Sequence, residues 1–188
     1  MAIVTVLHPG KQIEIWAEDE ARLGLHCTQR RMWAPKGITP TAPSNREYKW
    51  VYLYGFVKPN TGETSFCVLP TVNNRLMTMA LEEFQKDVDP EQKRLHIVII
   101  DGAGFHSRNG VKFPNNIVPF RLPAYSPELQ PAEKVWPIIK EALSNETFRT
   151  IDALEQTLIT RCQYVQGHPQ EVQAATQYHW WPKDPVCI

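Results

Sequence analysis

The stretch "LHIVIID", Leu95–Asp101, decides the fold. Five of its first six residues are apolar. A strand with one wet face would alternate polar and apolar residues. A near-continuous apolar run instead marks a strand covered on both faces, as in a parallel sheet sandwiched by helices. The run then stops abruptly at Asp101.

Upstream of this strand the pattern has a different period. From Asn73, the residues Met77, Leu81, Phe84 and Val88 form one stripe of an amphipathic helix, which Asp89-Pro90 ends. Earlier still, "YKWVYLYGFV" (Tyr48–Val57) is apolar on both faces. "KPNTGE" (Lys58–Glu63) has turn chemistry, and "TSFCVLP" (Thr64–Pro70) returns as a hairpin partner. Gln12–Ala17 is expected to be a strand that ends in Glu18-Asp19-Glu20, and Arg30–Ala34 a second strand before "PKG".

Downstream, "NNIVPFRLP" (Asn115–Pro123) is a further short strand. A helix from about Pro131 places Val135, Ile138, Ile139 and Ala142 on one face, and another covers Ile151–Tyr164. From about residue 166 the tail is expected to be irregular, including "HWWPKDPVCI" (His179–Ile188). Strands followed by helices alternating with buried strands predict an α/β fold with a mixed central sheet.

The 188 residues fit one domain with a sizeable core, and 43% hydrophobic with 21% charged residues excludes a disordered chain. Twenty basic and twenty acidic residues cancel, so any grip on nucleic acid must be local or shared with another part. The four cysteines lie far apart with no CxxC pair. This argues against a zinc ribbon or disulfide scaffold and for a reducing, cytoplasmic setting. No apolar run approaches the roughly 20 residues that span a membrane.

Two strands thus end in acid, at Asp19 and at Asp101. Ligand-binding groups of α/β sheets gather at the carboxyl ends of strands, and neighbouring parallel strands would bring these two side by side. A single such Asp is more often a helix cap or a solvated loop acid. The third candidate is Glu133 in "AYSPELQPAEKVW" (Ala124–Trp136). Pro131 suits the first helical position, which puts Glu133 in the first turn, where the helix dipole favours an ionised carboxylate. Carboxylates that converge stay ionised only beside cations. Hard oxygen donors select Mg²⁺ or Mn²⁺, and two such ions suit phosphodiester chemistry.

With these residues in place, the chain resembles the DDE/DDD transposases of the mariner superfamily, in the bacterial insertion-sequence branch. The matching segments are "WAEDEARLGL" (Trp16–Leu25), "VIIDGAGFHSR" (Val98–Arg108) and "LPAYSPELQPAEKVWPIIK" (Leu122–Lys140). The last is the most specific, being close to the family pattern LPxYSPxLNPIExxWxxxK. Asp101 and Glu133 are 32 positions apart, near the family's separation.

The resemblance implies a ribonuclease H-like fold, helices on both faces of the sheet, and Asp19, Asp101 and Glu133 as a metal-binding catalytic triad. It implies Mg²⁺-dependent cleavage at element ends and strand transfer into target DNA, hence a nucleoid-associated protein, with a homodimer on DNA as a further expectation. Such transposases carry helix-turn-helix domains that read the ends, and these are absent from this chain, which is expected to be a single catalytic domain over residues 1–188.

His106 matches a family histidine and is a candidate for contact with DNA phosphate or a carboxylate, or is a plain helix-start residue. Glu20 matches the family's "DE" pair and is a candidate to orient Asp19, or is simply solvated. Arg22 and Lys140 are candidates for phosphate contact, and Trp136 is expected to brace its helix. Gly102 and Gln130 stand where relatives have Asn, and Pro137 is expected to kink the helix after Glu133. Two other readings share the fold: a silent transposase remnant serving as an interaction scaffold, and a ribonuclease H-like nuclease, against which the "YSPELQPAEKVW" segment counts.

Overall fold

In the computed structural model, the described residues are 11–26, 30–31, 33–39, 41, 45, 47–101, 110–123 and 126–181. Five strands form one sheet: β1 (Gln12–Gly24), β2 (Trp50–Lys58), β3 (Glu63–Leu69), β4 (Arg94–Ile100) and β5 (Ile117–Arg121). Their order across the sheet is β3-β2-β1-β4-β5. The β1–β2 and β2–β3 pairs are antiparallel, and β1–β4 and β4–β5 are parallel. This is the expected mixed sheet, with β1 at its centre and the apolar β4 paired on both edges beside it.

Helix α1 (Asn74–Val88) covers one face, and α2 (Val135–Glu141), α3 (Ile151–Gln166) and α4 (Pro169–Thr176) cover the other. The α1 stripe behaves as its spacing predicts. Met77, Leu81 and Phe84 are buried against Trp16, Tyr54, Phe56 and Val98, with Phe84 stacked on Phe56 at 4.3 Å. The Asn73 side chain caps the helix by accepting from the Leu76 N–H, which would otherwise lack a partner. On the opposite face, Ala17, Ala21, Leu53, Val135, Ile139, Leu154, Leu158 and Val172 form the larger core.

Four expectations are corrected. The first strand does not end at Ala17. Its parallel ladder with β4 ends at Ala17–Ile99, but antiparallel pairing with β2 carries it on from Glu18–Phe56 to Gly24–Trp50. The acidic cluster therefore lies inside a strand, where one of its two neighbours departs.

Arg30–Ala34 shows no strand among its described residues. The Arg30 N–H donates to Asn145 Oδ1 at 2.9 Å rather than to a ladder, and Trp33 is fully exposed, with no sheet face to bury.

The helix after Pro131 opens as a 3₁₀ turn, Pro131–Lys134, before becoming α2. Pro137 consequently falls in the first turn of α2, where its missing N–H costs no intrahelical bond, so the backbone changes pitch ahead of the proline rather than kinking at it.

The tail is not irregular from 166: Pro169–Thr176 is helical, opened by a proline in its first turn and seated through Val172 and Thr176. No described helix is long and apolar enough to cross a membrane.

At the end of the sheet where β1 begins, a buried charged network ties β1, β2, β4 and the end of α1 together. Glu14 Oε1 accepts from Lys58 Nζ at 2.8 Å and from Arg94 Nη1 at 3.1 Å. His96, fully buried, lies 3.4 Å from both Glu14 and Asp89. Burial pushes the Glu14 carboxyl up, but His96, Lys58 and Arg94 together outweigh it and hold the group well below the usual carboxylate range.

Candidate active site

Alternation along β1 sets which acids share a face. Ala17 and Ala21 belong to the core beneath α2–α4, so Asp19 between them points to that same face. Ala17 and Ile99 are the last residues in register between β1 and β4, and Asp19 and Asp101 each follow that pair by two residues. Asp19 is half-buried, and Asp101 directly follows β4.

The third acid arrives from above. Glu133 is exposed on the 3₁₀ turn, and that turn is held down by Gln130, whose buried side-chain amide donates to the Glu18 carbonyl at 2.9 Å. Three residues beyond Glu133, Trp136 Nε1 donates to Asp19 Oδ2 at 2.7 Å. The Trp136 ring lies over Gly55, the residue paired with Asp19 on β2. A Cβ at Gly55 would fall 2.6 Å from Trp136 Cη2, so the glycine leaves the space in which the indole reaches Asp19.

Asp19 senses the whole cluster. Burial pushes its carboxyl up, the Trp136 N–H and the Glu20 backbone N–H pull it back, and the charges of Glu133 and Asp101 raise it again, to about 6. Both other candidate acids are therefore close enough to act on Asp19. Among the described residues, however, no three acid, histidine or cysteine side chains are gathered tightly enough to share one ion. Asp19 and Asp101 each follow the last pair of the β1–β4 ladder, and Glu133 is exposed on the turn that leads into Trp136. The donors are all hard carboxylate oxygens, and their mutual repulsion is of the kind a divalent cation relieves. The residues present fit Mg²⁺ or Mn²⁺.

Glu20 alternates onto the α1 face, in register with Tyr54, and its backbone N–H donates to the Asp19 carboxylate. Burial and the nearby Asp19 and Asp101 push the Glu20 carboxyl up to about 8. Glu18, fully buried on that face, is also raised, by burial first and then by the charges of Glu20, Asp19 and Asp101. Its carboxylate oxygens find no hydrogen-bond partner among the described residues. Arg22 and Lys140 line one cleft beyond the acids. His106 and Gly102 lie outside the described residues.

Sequence reasoning missed two residues of the site. Trp136 does more than brace a helix, and Gln130 tethers the Glu133 turn to β1. The only signal was position, since both flank Glu133 within three residues. Tyr178 is a third neighbour: after burial, the charge of Glu133 helps raise its phenol above the usual value, which brings the segment after α4 up to the site.

Residues 14–155 match the family model described as DDE superfamily endonuclease. An uncharacterised protein of Sinorhizobium fredii (strain NBRC 101917 / NGR234), y4pE/y4sA, is 35% identical over 114 residues, which are 60% of this chain and 80% of its own length. Among solved structures, the Mos1 strand transfer complex is similar with a TM-score of 0.57 at 18% identity, over 94% of this chain and 59% of that one. The Mos1 transposase paired-end complex with left transposon end gives 0.58 at 17% identity, over 94% and 59%. The chain thus spans about three-fifths of the Mos1 chains it matches. At such identities the likeness concerns the fold, and it is the ribonuclease H-like sheet with helices on both faces that the sequence led us to expect.

Proposed function

The chain belongs to the DDE superfamily endonucleases, and from that premise we propose that it is the catalytic domain of a mariner-type DNA transposase of the bacterial insertion-sequence branch. It cuts phosphodiester bonds at element ends and joins the freed 3′-hydroxyl to target DNA. The observation that supports this reading is that Asp19 follows the pairing of β1 with β4, which Asp101 also follows, and that the charges of both Glu133 and Asp101 raise its carboxyl.

Asp19 and Asp101 would hold Mg²⁺ or Mn²⁺ from the sheet and Glu133 from the turn, in a two-ion site. When bound, such ions polarise a phosphoryl oxygen and make water or a hydroxyl a stronger nucleophile at neutral pH. The chain's own contribution is positional. The Trp136 N–H donates to Asp19 Oδ2 and, with the Glu20 backbone N–H, fixes the carboxylate. Gln130 sets the height of the Glu133 turn over β1. The apolar floor of Ala17, Ala21 and Ile139 keeps bulk water away from beneath the acids. DNA is the partner on this reading, with two copies pairing two ends. With no net charge to supply general affinity for DNA, end recognition falls to a separate helix-turn-helix part.

The test is nicking of the element's own end DNA in Mn²⁺. We expect wild-type nicking that is lost in Asp101→Asn. Nicking that survives this substitution removes the triad from the chemistry. Retained Mn²⁺ binding with no nicking by the protein joined to its DNA-reading part favours the silent scaffold.

A further inference from the structure

Beyond the acids, where β1 runs on with β2 alone, the structure opens a cleft of about 330 Å³. Its walls combine Arg22 and Gly24 from β1, His26 and Tyr48 from the flanking segments, Trp50 from the start of β2, and Lys140 from α2. We propose that this cleft holds one unpaired nucleotide of the DNA strand next to the scissile phosphate, its base stacked on Trp50 and Tyr48 and its phosphate on Arg22 and Lys140. The proposal rests on the transposase reading above and specifies where that substrate lies on this chain.

Position is the first argument. Arg22 is three residues along an extended strand from Asp19, roughly 10 Å, and Lys140 is in α2, the helix that directly follows the turn carrying Glu133. Arg22 thus continues the strand that carries Asp19, with its side chain on the opposite face, and both cations line the one cleft.

Chemistry is the second. Tyr48 is 78% exposed and Trp50 40% exposed, an unusual display for rings this large. The Arg22 guanidinium lies 5.0 Å from the centre of the Trp50 ring, and the His26 and Tyr48 rings are 5.0 Å apart. A guanidinium stacked on indole is held in place with its N–H donors still available, which suits a phosphate oxygen. Against these cations the cleft sets one acid, Glu146, while the neighbouring Lys49 is engaged by Glu47 at 2.9 Å. Aromatic faces interleaved with cations are the general means of holding single-stranded nucleic acid.

Size is the third. The cleft has room for a single splayed nucleotide, whereas a base within a duplex keeps both faces covered by its neighbours and offers no ring to stack.

The experiment uses the whole chain and a short fluorescein-labelled oligothymidylate, with anisotropy titrations at several salt concentrations. Trp50→Ala and Tyr48→Ala should each weaken binding about tenfold, and Tyr48 is exposed enough that its loss leaves the core intact. The double variant Arg22→Gln/Lys140→Gln should flatten the salt dependence by about 1.4 in log–log slope, about 0.7 for each single-strand phosphate contact. With 5-iododeoxyuridine in place of thymidine, photocrosslinks should map to Tyr48 or Trp50. Absence of oligothymidylate binding, affinities within twofold of wild type in both aromatic variants, or crosslinks elsewhere would each overturn the proposal. The nicking assay is read separately. Cleft-dependent binding without nicking removes the transposase reading alone. Asp101-dependent nicking with binding indifferent to Trp50 and Tyr48 removes the cleft alone.

Discussion

Asp19→Asn should make the metal-free protein more stable, an unusual outcome for a half-buried polar residue. The Asp19 carboxyl is raised from 3.8 to about 6, first by burial and then by Glu133 and Asp101, against the pull of Trp136. A carboxyl whose folded value exceeds its unfolded value lends stability below the unfolded value, and that stability is lost as pH rises through the folded one. The ionised form therefore begins to oppose folding near pH 4 and reaches its full effect above pH 6. Two pH units at 1.36 kcal/mol each give about 3 kcal/mol at pH 7 and above, shrinking to about 0.5 kcal/mol at pH 4. For a chain of this size that corresponds to about 6–12 °C in melting temperature at pH 8. Asn keeps an oxygen for the Trp136 N–H, so the packing is preserved. The assay is a series of thermal melts in EDTA from pH 4 to pH 8, with wild type and variant side by side. The gap should open with pH, and Mn²⁺ should close it by stabilising wild type alone. A variant less stable than wild type at pH 8, or a gap that ignores pH, would contradict the picture of mutually repelling acids.

Other substitutions probe the supports of the site. Trp136→Phe keeps the ring over Gly55 but removes the donor to Asp19; Mn²⁺ affinity by calorimetry should fall about 10–100-fold, as for other residues that orient a metal ligand. Gly55→Ala places a Cβ against the Trp136 indole and should cost about 1–3 kcal/mol in urea unfolding, with loss of Mn²⁺ affinity. Gln130→Ala leaves the buried Glu18 carbonyl without its partner, so unfolding should show a loss of about 1–3 kcal/mol. Far from the site, Glu14→Gln removes one of the two carboxylates facing each of Lys58 and Arg94 in the network and should destabilise by about 1–3 kcal/mol while leaving Mn²⁺ affinity unchanged.

The sheet was legible because its strands advertise burial. "LHIVIID" could only be a central strand, and "KPNTGE" between two apolar runs could only be a tight connection; both lie where expected. The α1 stripe was equally plain, since a single face meets a single core.

Failures arose where a tertiary partner, not local pattern, decides the outcome. Nothing in Glu18–Gly24 says that β2 continues to pair there after β4 has left. Nothing in "PQEVQAAT" (Pro169–Thr176) announces a helix, because only Val172 and Thr176 are buried. Pro137 looked disruptive because the helix seemed to begin at Pro131, and a turn of 3₁₀ geometry moves the helix start to meet it.

The three acids were legible as types at element ends. Their second ring of contacts was not. That Trp136 and Gln130 would turn back toward β1, while Glu20 would turn away, depends on the pleat of one strand and the pitch of one turn.

The decisive experiment is anomalous diffraction from crystals soaked in Mn²⁺. We expect a peak between the carboxylates of Asp19 and Asp101, with Glu133 turned in toward it and the Trp136 N–H still on Asp19. A peak elsewhere, or none at these two carboxylates at saturating Mn²⁺, would contradict the assignment of these acids to phosphodiester chemistry.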